Sequence, residues 1–223
     1  MKAAEIKDPL MTKIPQRTVE RFFRYCQFLH TRLETGAEFV FSRELAAAVG
    51  VSPEQVRRDL MNFKLKGTPQ RGYKLQEFLD ELYAHLESSS LTKMVLVGVG
   101  NLGKAILSYF LKRRPNLSIV AAFDLDPEKT GRVYSGCHVH HSAQLEKIVN
   151  KEKAAVGIIT VPAASAQEAA DALVRAGVRG IVNFAPAQIK VPAGIFLEQL
   201  DITLSIEKAA YFARRIKLSK ELK

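Results

Sequence analysis

The sequence predicts an α/β protein: a helical N-terminal domain, a parallel sheet in the second half and a helix at the C-terminus. Three observations predict this class. Apolar residues recur at helical spacing over residues 15–35, and a glycine-rich segment directly follows the apolar run 94–97. Beyond that segment, short apolar runs alternate with helical patterns as far as residue 184. Such alternation implies right-handed crossovers and a mostly parallel, doubly wound sheet.

The composition sets limits on function. With 47% hydrophobic residues, the 223-residue chain can form two domains with real cores, and its net charge of +10 favours acidic partners, nucleic acid first. Two cysteines give no disulfide framework and fit a reducing compartment. No run approaches the roughly 18 apolar residues of a membrane span, and no signal-peptide core opens the sequence. We therefore expect a cytoplasmic protein without a membrane partner.

Two short helices on either side of a glycine predict a helix-turn-helix. The first is expected to begin with Ser42 as its N-cap and to end at Gly50. The second is expected to begin after Ser52, with Pro53 at its first position and Gln55 at the capping-box position. Helix, glycine-containing turn and helix in this order are typical of DNA-binding domains.

The flanking segments complete a winged domain. Helices are expected from Pro15 to about Thr35 and from Tyr73 to Ser90. Between them, 65–73 carries the turn residues and basic tip of a winged hairpin, and Arg71 at that tip could enter a minor groove. The polar segment 87–90 is the expected linker between domains.

Polar and basic side chains in this domain are the candidate DNA contacts. Arginine binds guanine edges or phosphates, lysine binds phosphates, and glutamine and asparagine can bind adenine. The candidates are Ser42, Arg43, Ser52, Gln55, Arg57, Arg58, Asn62, Lys64, Lys66 and Arg71. The competing interpretation is a solvated charged face on a small helical interaction domain.

The segment Gly98-Val99-Gly100-Asn101-Leu102-Gly103 predicts a dinucleotide site of the Rossmann type. It follows a strand-like run and opens a helix, and Asp124 ends the next apolar run. Its glycines allow a tight turn, a close approach to pyrophosphate and close helix–strand packing, while the helix N-terminus offers N–H groups to phosphate. Asp124 is expected to accept hydrogen bonds from a ribose diol and to disfavour a 2′-phosphate, so NAD(H) is preferred to NADP(H). The competing interpretation of Asp124 is a helix cap or turn residue.

Later elements place further candidates at the ligand-binding edge of the sheet. Strands are expected over 133–140, 155–161 and 181–184, and helices over 142–150, 165–176 and about 205–223. From the residues alone, the last helix is as compatible with packing on its own domain as with packing on a partner subunit. Ligands of such sheets bind outside the carboxyl ends of the strands. The remaining candidate cofactor contacts are Thr160, Val161, Pro162, Asn183, Phe184, Ala185 and Pro186.

An NAD-dependent dehydrogenase is the first competing function. It would need a positioned acid or base near the nicotinamide, and a substrate pocket that is usually built by a further domain. His30 and His85 lie in the N-terminal helices, and His138, His140 and His141 alternate between two faces of an expected strand. We therefore expect no enzyme activity, no small-molecule substrate and no metal site.

Thiol-based redox sensing and a purely structural second domain are also compatible with the sequence. Thiol sensing is disfavoured because Cys26 lies on an apolar helix stripe and Cys137 lacks a helix N-terminus to lower its pKa. A DNA-binding protein whose second domain only dimerises, or binds coenzyme A, is also possible. Asp124 argues against the coenzyme A version.

The order of motifs resembles the Rex family of redox-sensing transcriptional repressors over nearly the whole chain. The matching residues are Ile14-Pro15 with Thr18 and Arg21, Val56–Leu60, Gly98–Gly103 with Ala122–Asp124, Thr160–Ala163 with Ala166-Gln167, Gly180–Pro186, and Asp201. The resemblance implies a winged-helix DNA-binding domain (1–87), an NAD(H)-binding domain (91–204) and a dimerisation helix (205–223) exchanged between subunits.

The resemblance also implies a mechanism. A homodimer would bind double-stranded operator DNA when NAD+ predominates and release it when NADH accumulates. Arg21 would pair with Asp201 of the partner subunit as part of the state-dependent contact. Apart from the resemblance, we expect the neutral nicotinamide of NADH to enter an apolar slot that the cationic ring of NAD+ resists. The candidates to line it are Phe184 and Pro186, together with Ile202 of the partner subunit.

The chain departs from the family in two places. Members usually follow the recognition helix with Tyr-Phe-Gly-x-Phe-Gly, whereas this chain has the lysine-containing segment Asn62–Gly67, and Gln70 replaces a later glycine. Additional lysine should strengthen phosphate contact and its salt dependence. The segment after Asp201 is also unusual, which affects the details of dimer packing.

Overall fold

A computed structural model describes residues 14–62, 72–85, 91–110 and 116–221. The chain divides into two units, Met1–Ser90 and Leu91–Lys223. The predicted tip of the wing, with Lys64, Lys66 and Arg71, lies outside the described residues, as does the predicted linker.

Helices dominate the described part of the first unit. Its elements are α1 (Gln16–Glu34), β1 (Phe39–Val40), α2 (Ser42–Val49), α3 (Pro53–Asn62), β2 (Tyr73–Lys74) and α4 (Leu75–His85). The apolar stripes of the four helices meet in one core, which includes Phe22, Tyr25, Leu29, Leu45, Val56, Leu60, Leu75 and Leu82. The predicted first helix is confirmed.

The turn between α2 and α3 has the predicted form. Gly50 ends α2 with a φ of 72°, in the left-handed region that favours glycine. Ser52 caps α3, since its Oγ accepts the backbone N–H of Gln55 at 3.2 Å. The prediction that Ser42 caps α2 is wrong: Ser42 is already helical, and the Glu44 carboxylate reaches back to accept the N–H of Phe41 at 2.8 Å.

The predicted helix from residue 73 starts too early. Tyr73 and Lys74 instead form β2, which pairs antiparallel with β1. Gly72 precedes the strand with a φ of 73°. The N–H of Leu75 then donates to the carbonyl of Glu38 at 2.9 Å, so the chain becomes helical only from Leu75 onward.

The second unit contains a seven-stranded sheet in the order β5-β6-β4-β3-β7-β8-β9. Its strands are β3 (Thr92–Val97), β4 (Leu117–Asp124), β5 (Val133–Tyr134), β6 (Cys137–His141), β7 (Val156–Ile159), β8 (Gly180–Asn183) and β9 (Phe196–Gln199). Its helices are α5 (Asn101–Phe110), α6 (Leu145–Glu152), α7 (Ala166–Arg175) and α8 (Ile202–Glu221). β5 is antiparallel to β6 and the other described pairs are parallel, so the predicted doubly wound α/β class is confirmed.

The sheet buries apolar side chains on both faces. Alternate residues of β3 enter different clusters: Val95 and Val97 pack in a core that includes buried residues of α6 and α7, whereas Met94 and Leu96 pack in a core that includes residues of α5. This division follows the two-residue period of a strand. It explains why the central strands are nearly continuous apolar runs.

Two local predictions in this unit are wrong, and one strand was not predicted. The expected strand 133–140 is a hairpin, because Ser135 and Gly136 take φ values of 49° and 76° and form a two-residue turn between β5 and β6. The expected cap Ser142 is the first residue of a 3₁₀ turn, and His141 Nδ1 accepts the N–H of Ala143 at 3.2 Å instead. Strand β9, parallel to β8, was not predicted.

Helix α8 begins at Ile202 rather than at about residue 205. Asp201 caps it, since its Oδ1 accepts the N–H of Leu204 at 2.8 Å. Every side chain from residue 202 to residue 215 is exposed. The large apolar ones among them are Ile202, Leu204, Ile206, Tyr211 and Phe212. The predicted exchange of this helix between subunits stays a prediction.

Candidate functional site

The glycine-rich turn joins β3 to α5 at the carboxyl edge of the sheet. Gly98 has a φ of 99°, and a Cβ there would lie 2.8 Å from the backbone of Thr160. A Cβ on Gly103 would overlap the carbonyl oxygen of Gly98. A Cβ on Gly100 would meet nothing within 4 Å. Gly98 and Gly103 are therefore required by the fold, whereas Gly100 leaves open space above the turn.

Asp124, at the end of β4, is bonded to this turn. Its Oδ2 accepts the N–H of Val99 at 2.7 Å, and its Oδ1 accepts the N–H of Asp126 at 2.9 Å. The Lys129 ammonium lies 3.3 Å from Oδ2. Partial burial opposes ionisation, but these three donors outweigh it and hold the pKa of Asp124 below its usual value. The side chain keeps 12% of its surface exposed, so an ionised acceptor stands beside the glycine turn.

Thr160, at the end of β7, is hydrogen-bonded to the same turn. Its hydroxyl donates to the carbonyl of Gly98 at 2.6 Å, and its backbone N–H donates to the carbonyl of Val97 at 2.8 Å. Val161 and Pro162 follow at the edge of the sheet. The predicted candidates after β3, β4 and β7 are thus brought together.

Asn183, at the end of β8, is occupied by its own chain. Its amide nitrogen donates to the Gln199 side chain at 2.6 Å and to the carbonyl of Ala187 at 2.9 Å. Its amide oxygen accepts the N–H of Ala185 at 3.0 Å. Buried Asn183 therefore shapes the loop that presents Phe184 and exposed Pro186, rather than offering a free amide group to a ligand.

Phe184 faces an open cavity of about 430 Å³ between the β8 and β9 ends and the start of α8. Ile202 and Ile206 of the same chain also line it, and Gln199 and Asp201 supply polar groups. The lining is mostly apolar. The expected contribution of Ile202 from the partner subunit stays a prediction.

Helix α3 presents a mixed outer face. Arg57, Arg58 and Asn62 are exposed, and the Arg57 guanidinium is 2.8 Å from Glu54. Gln55 is turned inward, since its amide nitrogen donates to Asp59 at 2.9 Å. Met61, which sequence reasoning did not single out, is 73% exposed on this helix. The sequence did not mark Met61 as exposed, because an apolar side chain at this spacing is also compatible with a place in the core.

The other candidates on the first unit flank this helix. Arg43 is exposed, with its guanidinium 5.1 Å from the centre of the Phe41 ring. Ser42 is half-buried, and Ser52 is exposed at the start of α3. Arg58 and Arg43 therefore offer cationic groups to solvent, whereas Ser52 has a capping role.

A buried acidic cluster fixes α3 to α1. Asp59 is completely buried, and Arg21 binds both of its oxygens through Nε and Nη2, each at 2.6 Å. The Tyr25 hydroxyl also donates to it at 3.0 Å. Burial opposes ionisation, but these donors and Gln55 hold the pKa of Asp59 below its usual value. Sequence reasoning assigned Arg21 to Asp201 of the partner subunit and did not find this cluster.

The remaining reactive side chains give little support to thiol sensing or to a metal site. Burial raises the pKa of the Cys137 thiol to about 11, which disfavours the reactive thiolate. His30 pairs with the Tyr83 hydroxyl at 2.6 Å. Within the described ranges, no three His, Cys, Asp or Glu side chains group to hold a metal, and no helix is long and apolar enough to cross a membrane.

Comparison with known proteins agrees with this division into two parts. A family model described as "CoA binding domain" matches residues 89–187, and one described as "Putative DNA-binding protein N-terminus" matches residues 13–60. The redox-sensing transcriptional repressor Rex of Listeria welshimeri is 40% identical over 201 residues, which cover 90% of this chain and 94% of the relative. This chain belongs to the Rex family.

Further members of the Rex family show the same extent of similarity. The Rex repressor of Halalkalibacterium halodurans is 40% identical over 207 residues, covering 93% of this chain and 98% of the relative. The crystal structure of RSP, a Rex-family repressor, has a TM-score of 0.82 at 31% identity, covering 94% of this chain and 98% of RSP. RSP in complex with β-NAD+ and operator DNA has a TM-score of 0.84 at 31% identity, covering 94% and 96%.

Membership of the Rex family decides between a regulator and an enzyme. The relatives are named repressors, so the chain is a transcriptional regulator and not a dehydrogenase. The prediction of the family from the order of motifs is confirmed.

Proposed function

We propose that this chain is a homodimeric repressor that binds operator DNA through its first unit and releases it when NADH binds its second unit. The observation that carries the proposal is the open turn at Gly100, backed by the ionised Asp124, in a chain whose first unit is a helix-turn-helix. RSP, a structural relative over 94% of the chain or more, has been crystallised with β-NADH and with β-NAD+ plus operator DNA.

The glycine turn fits the pyrophosphate of a dinucleotide. Open space at Gly100 allows close approach to the backbone, and the N-terminus of α5 supplies N–H groups and a positive dipole end. Asp124 can accept the hydroxyls of the adenosine ribose, and its charge repels a 2′-phosphate. NAD(H) is therefore the expected ligand. Of the predicted contacts, Gly98, Gly103, Thr160 and Asn183 support the site by shaping backbone.

The difference between the two oxidation states lies in the nicotinamide. NADH carries a neutral ring, and NAD+ carries a cationic one. An apolar surface such as that formed by Phe184, Ile202 and Ile206 favours the neutral ring, because burying an unpaired charge costs free energy. NADH then shifts the protein toward whichever arrangement offers this surface.

The DNA-binding role belongs to the outer face of α3. Arg58 and Asn62 are exposed for contacts with base edges or phosphates, and Arg43 adds a cation at α2. Gln55 is retained by Asp59, so we assign it to positioning of the helix rather than to base contact. Because the ligand of such a repressor is the chromosome, we expect the protein in the cytoplasm.

Dimerisation through α8 joins the two roles. This helix exposes five large apolar side chains, which a second copy of the chain could bury. Pairing of Arg21 with Asp201 of the partner subunit would have to compete with, or share, the two bonds that Arg21 makes to Asp59. A coupling of roughly 1–3 kcal/mol between nucleotide and DNA sites would be ordinary.

Titration of the full chain with NADH, NAD+ and coenzyme A, followed by nicotinamide fluorescence and calorimetry, tests the ligand assignment. The proposal predicts that both dinucleotides bind and that NADH binds more tightly. Binding of coenzyme A in preference to either dinucleotide would contradict it.

A further inference from the structure

Three charged side chains meet beside the glycine turn, at the carboxyl end of β4. The Lys129 ammonium lies 3.3 Å from Asp124 Oδ2 and 3.4 Å from Asp126 Oδ2. Lys129 is held in place by a turn, since its backbone N–H donates to the carbonyl of Asp126 at 3.0 Å. Its side chain is 29% exposed, so the ammonium is fixed without being buried.

The donors around Asp124 form an anion-binding arrangement. The N–H of Val99, the N–H of Asp126 and the ammonium of Lys129 all converge on one carboxylate. Two of these donors are backbone groups, so a substitution at position 124 does not remove them. The carboxylate of Asp124 is therefore the anion that fills a binding arrangement built by its neighbours.

A 2′-phosphate is the ligand group that would need this arrangement. In dinucleotide sites of this fold the acidic residue at the second strand meets the ribose 2′-hydroxyl, and a neighbouring cation is the group that accommodates a 2′-phosphate. Backbone N–H groups together with an ammonium bind phosphate through charge-assisted hydrogen bonds.

We propose that Lys129 is a second specificity-determining residue of the dinucleotide site. With Asp124 present, its ammonium is neutralised and the carboxylate excludes the 2′-phosphate. With the Asp124 carboxylate removed, Lys129 keeps only its ion pair with the more exposed Asp126 carboxylate. Its ammonium and the N–H groups of Val99 and Asp126 then bind the 2′-phosphate, and the site accepts NADPH. This inference rests on the proposed dinucleotide function of the same site.

The test compares the dissociation constants of NADH and NADPH for the full chain and its variants at one pH and ionic strength. Asp124→Ala should improve NADPH binding relative to NADH by about a hundredfold, and adding Lys129→Met to it should remove about tenfold of that gain. Thermal melting checks that each variant is folded.

The single variant Lys129→Met tests the role of Lys129 without relying on Asp124→Ala. It leaves the Asp124 carboxylate without this cation, so the dissociation constant of NADPH should rise about threefold to tenfold relative to that of NADH. Lys151→Met, at the far end of α6, removes the same charge away from the site and should leave the ratio unchanged.

The outcomes separate this inference from the proposed function. If the wild-type chain binds neither dinucleotide, the proposed function fails. If it binds NADH but the NADPH to NADH ratio is the same with and without Lys129 in both backgrounds, the role of Lys129 is overturned and the proposed function stands.

Discussion

In each unit of the molecule an aspartate accepts several hydrogen bonds, and the donors differ in kind between the two. Asp59 of the first unit is completely buried, and its partners are side chains of α1 and α3. Asp124 of the second unit is partly exposed, and two of its partners are backbone N–H groups at the edge of the sheet.

This difference distinguishes the positioning role of Asp59 from the recognition role that we propose for Asp124. Because its donors are side chains of two helices, Asp59 links α1 to α3. Its removal leaves the partly buried guanidinium of Arg21 without its anion. Backbone donors fix Asp124 at a surface where part of the carboxylate remains free for a ligand. Burial and the type of donor, rather than the aspartate itself, are the basis on which we assign these two roles.

The strongest test of the first role is Asp59→Ala. Breaking a buried ion pair by removing one partner typically costs about 3–5 kcal/mol, because the other charge is left uncompensated. The free energy of unfolding should fall by this amount in urea titrations of the full chain followed by circular dichroism. Asp124→Ala is the matched control and should cost less. Equal losses of unfolding free energy for the two variants would contradict the distinction between the two aspartates.

The acid dependence of stability sharpens the same test. The pKa of Asp59 is lowered in the folded chain, so its contribution is present above the unfolded pKa of about 3.9 and is lost as the pH falls through the folded pKa. The wild type should therefore lose this contribution only below about pH 4. Asp59→Asn should show a shallower decline there in pH-dependent urea unfolding.

The recognition role is tested by Gly100→Ala. The added methyl meets no protein atom within 4 Å, so the variant should fold normally. It should bind NADH about a hundredfold more weakly, because the methyl enters the space proposed for pyrophosphate. Fluorescence titration measures this loss. Gly103→Ala, whose Cβ overlaps Gly98, should instead lower the melting temperature; unchanged NADH binding by folded Gly100→Ala would place the pyrophosphate elsewhere.

On the first unit, Arg58→Ala should weaken operator binding by about 1–3 kcal/mol and leave NADH affinity unchanged. Fluorescence anisotropy with a duplex that the wild-type protein selects from random palindromes measures the change. Arg57→Ala should have a smaller effect, because Glu54 already holds that guanidinium. A larger loss of operator affinity for Arg57→Ala than for Arg58→Ala would contradict the assignment of Arg58 as the stronger DNA contact.

The smallest expected effect is that of Cys137→Ala. The thiol pKa of about 11 keeps it protonated at neutral pH. Hydrogen peroxide should therefore release the wild type and the variant from the duplex to the same small extent. Peroxide-driven release that disappears in the variant would restore thiol sensing as the mechanism.

Sequence patterns predicted those features of the fold that depend on residues close together in the chain. The caps at Gly50 and Ser52 and the glycine turn before α5 were found because each requires a particular residue type. The start of α4 was wrong, because the pairing of Tyr73 with Val40 is a contact between distant residues. Strand β9 was missed for the same reason, since its partner is β8.

The residues of the candidate sites also differ in whether the sequence could predict them. Gly98–Gly103 and Asp124 could be predicted because their spacing along the chain reflects one local βαβ unit. The Asp59 cluster could not, since Arg21 and Asp59 are 38 residues apart and only the packing of α1 on α3 brings them together. Gln55 was a predicted DNA contact, but it donates to Asp59 in this cluster and is therefore turned away from the outer face of α3.

Competition between nucleotide and DNA tests the proposed coupling most directly. The wild-type protein is bound to its selected, labelled duplex, and anisotropy is followed while NADH or NAD+ is added to a concentration that saturates the wild type. We expect release of the duplex by NADH, retention with NAD+, and no release of Gly100→Ala at the NADH concentration that saturates the wild type. Equal occupancy of the duplex at saturation with either nucleotide would contradict the coupling of the two units.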